Sequence, residues 1–329
     1  MERKYNHNST WLKLLSAFCV ISAMAFYGCS NSASSTNKKY DRFDSLKKEL
    51  QQIADAASGK VGVAVITSDG DTLKINNDSH YQLMSVFKLH EALAVSHILD
   101  IQGISLDSII SFSRSELDPD TWSPMLKEHK ETEFNIPVSE LIRYIIQLSD
   151  NNASNLLFDR IVSVKDCEDF IHKSTDIKDF SINYTERQMH SNPSLADGNH
   201  SSPLACAELM EKIFSDSIVS SEKQTVLQRI LLDCQTGQDR IFAPLKDKHG
   251  VTLAHKTGSG FRNERGELTA HNDVGRVVLP DGRHYVLAVM VKDFKGSEEQ
   301  ASAIIAKISA AVFNFINHTT TAFNISGAH

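Results

Sequence analysis

Ser85 and Lys88, three residues apart in Met84-Ser85-Val86-Phe87-Lys88, are the first groups along the chain able to do covalent chemistry together. On the opening turn of a helix they share a face, so their polar ends meet. An unprotonated amine at that place takes the serine proton, and helix N-terminal N–H groups favour negative charge developing beside them. That is the geometry of an activated nucleophile. The pair recurs by chance in many chains, so it gains meaning only from partners. Three candidates come later in the chain, in order: Ser149-Asp150-Asn151, Glu186 in Asn183-Tyr184-Thr185-Glu186, and Lys256-Thr257-Gly258.

The elements that must position these groups can be read from periodicity. Phe43, Leu46, Leu50 and Ile53 recur at helical spacing and predict an amphipathic helix over 40–57. Val61–Ile66 and Thr72–Ile75 are strands joined by the turn signal Asp69-Gly70-Asp71. A helix from Met84 to about Leu99 buries Val86, Phe87, Leu89, Leu93 and Ala94, leaving Ser85 and Lys88 at its entry. Further helices are expected at 139–148, capped by Ser139, then 152–162, 203–215 and 221–233. Residues 175–202 have no sustained period, and a stretch that long inside a compact domain is usually functional or disordered. Past Gly250 come strands Val251–Lys256, Val274–Leu279 and His284–Val291, with Asp281-Gly282 as a hairpin turn, then a helix over Ser297–Ile316. The expected fold class is α/β. An antiparallel sheet built from both chain ends (40–83 and 235–316) carries flanking helices and an inserted all-helical domain (84–234), with a tail at 317–329.

At its motifs the chain resembles the class A serine β-lactamases, whose signature is Ser-x-x-Lys with Ser-Asp-Asn and Lys-Thr-Gly in this order. The resemblance runs over about residues 40–316. It includes Trp122-Ser123-Pro124, the helix start Asn151-Asn152-Ala153-Ser154-Asn155-Leu156-Leu157, and the pair Asn272-Asp273. It implies the fold shared by serine β-lactamases and D-alanyl-D-alanine peptidases, acting on a small-molecule β-lactam. Ser85 would attack the lactam carbonyl, with Lys88, or Glu186 through a water, taking its proton. The backbone N–H groups of Ser85 and Ser259 would receive the developing charge. Ser149 would pass a proton to the departing nitrogen, and Asn151 would hold the substrate's side-chain amide. Lys256, Thr257 and Ser259 would bind its carboxylate, with Gly258 and Gly260 admitting ligand close to backbone. Trp122 would stand at the entrance. Glu186 would deprotonate the water that releases the acyl group. His190 stands where most of the family has Asn, as in a subgroup that often hydrolyses cephalosporins. The expected activity is therefore β-lactam hydrolysis, with cephalosporins preferred, conferring antibiotic resistance through a monomeric enzyme. A D-Ala-D-Ala peptidase and a β-lactam sensor that stays acylated are the alternatives. Glu186 argues against the first, and the lack of a second apolar span against the other.

Composition excludes several other classes. The chain has 329 residues, 41% hydrophobic and 23% charged, with net charge −7. No basic block marks a nucleic-acid partner. The 14 histidines are scattered without a metal-binding string, so no metal or other cofactor is expected. Arg240 and Arg276 are candidates either for carboxylate binding or for structural ion pairs, Asp150 reads as a turn residue, and His255 as a strand residue covering the sheet. Arg3, Lys4 and Lys13 precede an apolar run, Leu14–Tyr27, which reads as a signal peptide over 1–28. Gly28-Cys29 resembles a bacterial lipoprotein cleavage site, though Phe26 and Tyr27 are bulkier than usual there. The resemblance implies a lipidated Cys29 and membrane attachment, the alternative being an ordinary secretory signal with an incidental Cys29. Either way the protein is exported and periplasmic, and the Ser/Asn/Lys-rich stretch within 29–39 reads as a flexible tether. Cys167, Cys206 and Cys234 remain in the mature chain, as buried small hydrophobes or with one disulfide among them.

Overall fold

A computed structural model describes residues 31–318 except Ser79, with side chains from residue 43 onward. The expected signal peptide, Cys29 and residues 319–329 lie outside the described residues. The chain divides after Ser45. On the first side, only the start of helix α1 (Asn31–Asp55) is described. Residues 31–39, expected as a flexible tether, are therefore helical. The segment contains neither Gly nor Pro to stop a helix that the amphipathic stretch beyond it sustains. The second unit begins at Leu46 and contains Ser85, Ser149, Glu186 and Lys256.

Leu46, Leu50 and Ile53 are buried, as their spacing predicts. Strands β1 (Lys60–Thr67) and β2 (Thr72–Ile75) form the expected hairpin, and β3 (Tyr81–Gln82) leads to a 3₁₀ turn at Met84–Phe87. Helix α2 (Lys88–Gln102) continues from that turn, so the serine lies in the tighter entry and the lysine opens the α-helix. Next come β4 (Ile109–Ser113), α3 (Pro124–Glu128), β5 (Glu133–Pro137), α4 (Val138–Gln147), α5 (Asn151–Arg160) and α6 (Val164–Thr175). Strand β3, helix α3, the β4–β5 pair and α6 are additions to the expected elements. Ser139 makes no cap: Pro137 holds that position, and Ser139 lies within α4.

The stretch 175–202 is not structureless. It contains β6 (Phe180–Ser181), α7 (Glu186–Ser191), a 3₁₀ turn at Pro193–Gly198 and β7 (His200–Ser201). Each is too short to register as a period. β7 pairs with both β6 and β3, so the two ends of this loop are stitched together just upstream of Ser85. Helices α8 (Pro203–Ser215) and α9 (Ser221–Leu232) match their expected limits closely. Then come β8 (Thr252–Ser259), β9 (His271–Val278), β10 (His284–Lys292) and α10 (Glu298–His318), the last reaching two residues into the expected tail.

The main sheet has the order β2-β1-β10-β9-β8 with antiparallel pairing throughout, as expected for a sheet assembled from both chain ends. Every residue from Tyr285 to Val291 is buried, and since successive side chains point to opposite faces, β10 is covered on both. Helix α8 lies across β1, β9 and β10, while α10 packs on β9 and β10. Helix α2 is buried nearly all round and touches α4, α5, α6 and α9, which makes it the axis of the helical block. The three cysteines are free and buried, with no disulfide among them.

Candidate active site

The Ser85 turn is pressed between the sheet and the loop that carries Glu186. Asn272 on β9 donates through Nδ2 to the carbonyls of Gln82 (2.8 Å) and Leu83 (3.3 Å). Leu83 N–H donates to Asn199 O at 2.8 Å. A Cβ on Gly258 would stand 2.5 Å from Leu83 O, so only glycine lets β8 approach the turn this closely. Gly260 abuts Thr269 and Ala270 in the same way. Both glycines make room for the protein's own neighbouring atoms, and Gly260 also lines the cleft. Met84 and Ser149 both adopt left-handed backbone, φ 44° and 58°, at the two turns that aim the site's hydroxyls. Each such residue costs roughly 1–3 kcal/mol and persists only where its surroundings enforce it.

The sequence-predicted polar groups form one connected network. Lys88 is fully buried. Its Nζ donates to Ser85 Oγ (3.0 Å), Ser149 O (3.0 Å) and Asn151 Oδ1 (2.7 Å), and pairs with Glu186 Oε1 at 2.8 Å. Ser85 Oγ donates to the same Glu186 Oε1 at 3.1 Å. Lys256, also fully buried, donates to Ser149 Oγ (3.0 Å) and to Thr257 O (2.8 Å). Burial first, and then the charge of Lys88, pull Lys256 down to about 7.

Asp150 is the turn residue expected from its place. It caps α5 by accepting from Ala153 N and also accepts from Met125 N and Ser123 Oγ, which locks α3 to α5. That clamp sets Trp122, whose exposed indole donates to Leu148 O at 2.9 Å under the Lys127 ammonium. Asn151 is oriented at both ends, since its Nδ2 donates to Thr121 Oγ1 at 2.9 Å.

Glu186 opens α7, capped by Thr185 with a reciprocal Gln188 bond. Asn155 Oδ1 accepts from Arg187 N at 2.9 Å and anchors α7 to α5. Asn199, fully buried, closes the loop's neck: its Oδ1 accepts from Asn183 N and Tyr184 N, and its Nδ2 donates to Tyr184 O. His190 lines the cleft from the last turn of α7, half-exposed, 3.9 Å from Asp118.

Thr257 Oγ1 lies 2.6 Å from Thr236 Oγ1. Ser259 Oγ accepts from Arg240 Nη2 at 2.6 Å, and Arg240 Nη1 donates to Asn272 O at 2.7 Å. Arg240 thus joins the cleft, whereas Arg276 stays with Glu211 at 3.6 Å, over the Phe214 ring. His255 does more than cover the sheet. It is buried and pairs with Asp273 at 3.0 Å, while Asp273 also accepts from Ile241 N beside Arg240. Burial opposes protonation of His255, but Asp273 and Cys234 outweigh it and raise it to about 10.

The cleft over these groups has a volume of about 720 Å³ and is lined by Ser85, Trp122, Ser149, Asn151, Glu186, His190, Thr257 and Ser259, together with Met84, Thr236, Arg240, Phe261 and Glu298, among others. In the sequence Met84 stood out only as the start of the Ser85 motif and Arg240 only as a candidate cation, while Thr236, Phe261 and Glu298 lack any motif. A serine hydroxyl touching both an amine and a carboxylate, with a second hydroxyl tied to a second amine, suits nucleophilic acyl transfer.

The chain is similar to known proteins along most of its length. Residues 45–316 match the model of the beta-lactamase enzyme family. A beta-lactamase of Phocaeicola vulgatus is 47% identical over 275 residues, covering 84% of this chain and 86% of that protein. The extended-spectrum beta-lactamase PER-1 of Pseudomonas aeruginosa is 34% identical, over 82% of this chain and 87% of its own. A class A beta-lactamase from Bacteroides cellulosilyticus DSM 14838 superposes with a TM-score of 0.79 at 32% identity, over 84% of this chain and 99% of that structure.

Proposed function

The chain belongs to the beta-lactamase enzyme family, as a class A serine enzyme that hydrolyses β-lactams and confers resistance to them, and from that premise we propose that it works through an acyl-enzyme on Ser85. The observation that carries this reading is the triangle of Ser85 Oγ, Lys88 Nζ and Glu186 Oε1, with sides of 3.0, 3.1 and 2.8 Å. Ser85 already donates to Glu186, so that carboxylate takes the proton as Oγ attacks the ring carbonyl. The Ser85 and Ser259 N–H groups receive the oxyanion, a contribution on the order of 10²–10³ in rate per donor. When the C–N bond breaks, Ser149 Oγ gives its proton to the nitrogen and is resupplied from Lys256. Glu186 loses that proton and Lys256 regains one by exchange with solvent, after which the Glu186 carboxylate deprotonates a water that cleaves the ester and hands its proton to the departing Ser85 Oγ, a step worth on the order of 10²–10⁴-fold.

Cephalosporins are the preferred substrates in this reading. His190 on the cleft wall supports it, as does the likeness to enzymes named extended-spectrum. Lys256, Thr257, Ser259 and Arg240 hold the substrate carboxylate, and Trp122 and Asn151 flank its side-chain amide. The protein is exported to the periplasm and tethered through a lipidated Cys29, on the strength of the basic start, the apolar run and Gly28-Cys29.

The test is turnover of a chromogenic cephalosporin by the mature protein. Steady hydrolysis is expected in the parent. In Glu186→Ala, Lys88 is the remaining base beside Ser85 Oγ and no base is left for the deacylating water, so a slowly formed adduct of acyl mass should accumulate on Ser85, visible by mass spectrometry. A single stoichiometric burst in the parent, or parental turnover by the variant, would refute the assignment.

A further inference from the structure

Glu91 lies one helical turn beyond Lys88 on α2, and no step of the reaction uses it. Its side chain is fully buried, as is Ser154 on α5. Ser154 Oγ donates to Glu91 Oε2 at 2.7 Å, and Glu91 Oε1 has no partner among the described residues. Ser154 in turn lies three residues beyond Asn151, which receives Lys88 at 2.7 Å. Helices α2 and α5 are therefore joined by two rungs in step, Lys88–Asn151 and Glu91–Ser154. The next residue of α5, Asn155, holds the backbone beside Glu186. Both rungs sit under the reacting groups, so a slip between these helices would displace the amine, Asn151 and Glu186 together.

We propose that Glu91 is a positioning residue for Lys88: its grip on Ser154 locks α5 against α2 and fixes where Asn151 and the Ser149 carbonyl hold the lysine amine. The inference rests on the reading of Ser85 as nucleophile. The titratable groups around Glu91 are Lys88 and His90 on its own helix, Cys167 on α6 and Glu186 on α7. Burial drives the Glu91 carboxyl well above the usual carboxylate range, against the Ser154 bond and Lys88, with Glu186 adding to the rise.

The experiment measures acylation and deacylation separately, by stopped flow with a chromogenic cephalosporin, together with the melting temperature. A displacement of even 1 Å costs on the order of 100-fold, so Glu91→Leu should slow acylation by roughly 10- to 100-fold. Ser154→Ala, which removes only the rung, should slow it by about 3- to 10-fold. Glu91→Gln keeps an acceptor for Ser154 without charge. It should recover most of the rate lost in Glu91→Leu and leave the pH profile of acylation in place. A folded Glu91→Leu enzyme that acylates like the parent overturns the proposal. So does a Glu91→Gln enzyme as slow as Glu91→Leu, which would put an ionised carboxylate to work. If Glu91→Leu does not fold, Ser154→Ala decides, and parental acylation there overturns the proposal. Failure of the parent to form any acyl adduct would instead strike the Ser85 reading.

Discussion

Four oxygens surround the Lys88 Nζ, and their arrangement governs how the site moves protons. Nζ donates to Ser85 Oγ, and Ser85 Oγ donates to Glu186 Oε1, so the serine proton points to the carboxylate. The second buried lysine differs. With its titration brought down to about 7, Lys256 is charged below that pH and neutral above it. Its charge is what would draw the substrate carboxylate in. KM for a cephalosporin should therefore rise as the pH climbs from 7 to 9, while Lys256→Arg, charged throughout, should flatten that rise. Steady-state kinetics across this range check the point, and a parental KM independent of pH would contradict it.

At the scale of the element, the loop from β6 to β7 depends on one amide. Replacing Asn199 by Ala leaves the Asn183 and Tyr184 N–H groups and the Tyr184 carbonyl without their partner, at about 1–3 kcal/mol for each group left unsatisfied. The expected result is faster hydrogen exchange over residues 183–199 and a slower deacylation step, because Glu186 loses its fixed place. Exchange rates equal to the parent's would show that the neck is held otherwise. Nothing in the sequence marks Asn199, since its importance comes from meeting residues 183 and 184 across the loop. The same is true of Glu91 and Thr236, whereas Asp273 was marked only as one of the pair Asn272-Asp273, with no role attached. Ser85, Lys88, Ser149, Glu186 and Lys256 were legible because each sits in a short motif of known order. Helix α8 was legible because Ser202, Pro203 and a sustained period mark its limits. Strands β4 and β5 were not, because each is only five residues long and their alternation is interrupted by the intervening turn and α3.

Across the whole molecule, Asp273 couples the sheet to the segment that carries Arg240, through His255 on one side and Ile241 N–H on the other. The folded state holds the His255 proton to about pH 10, against about 6.5 for an unfolded histidine. The stabilisation is therefore complete below about pH 6.5 and is lost as the pH rises through 10. In thermal melts, His255→Gln should fall furthest behind the parent near pH 6 and close the gap towards pH 10. A gap that stays constant over that range would mean the pair contributes no pH-linked stability.

The sheet pairs Lys60 with Lys292 and Thr67 with Tyr285, so its centre joins the two ends of the chain. A ribosome finishes the nucleophile turn early, yet the strands that hold it, β8 and β9, and the strand that seats them on β1, come only after the whole helical block. Closing so long a loop is slow and has to wait for nearly the last residues. A half-made chain therefore holds no competent site, and a nascent chain stays open until translation is almost complete.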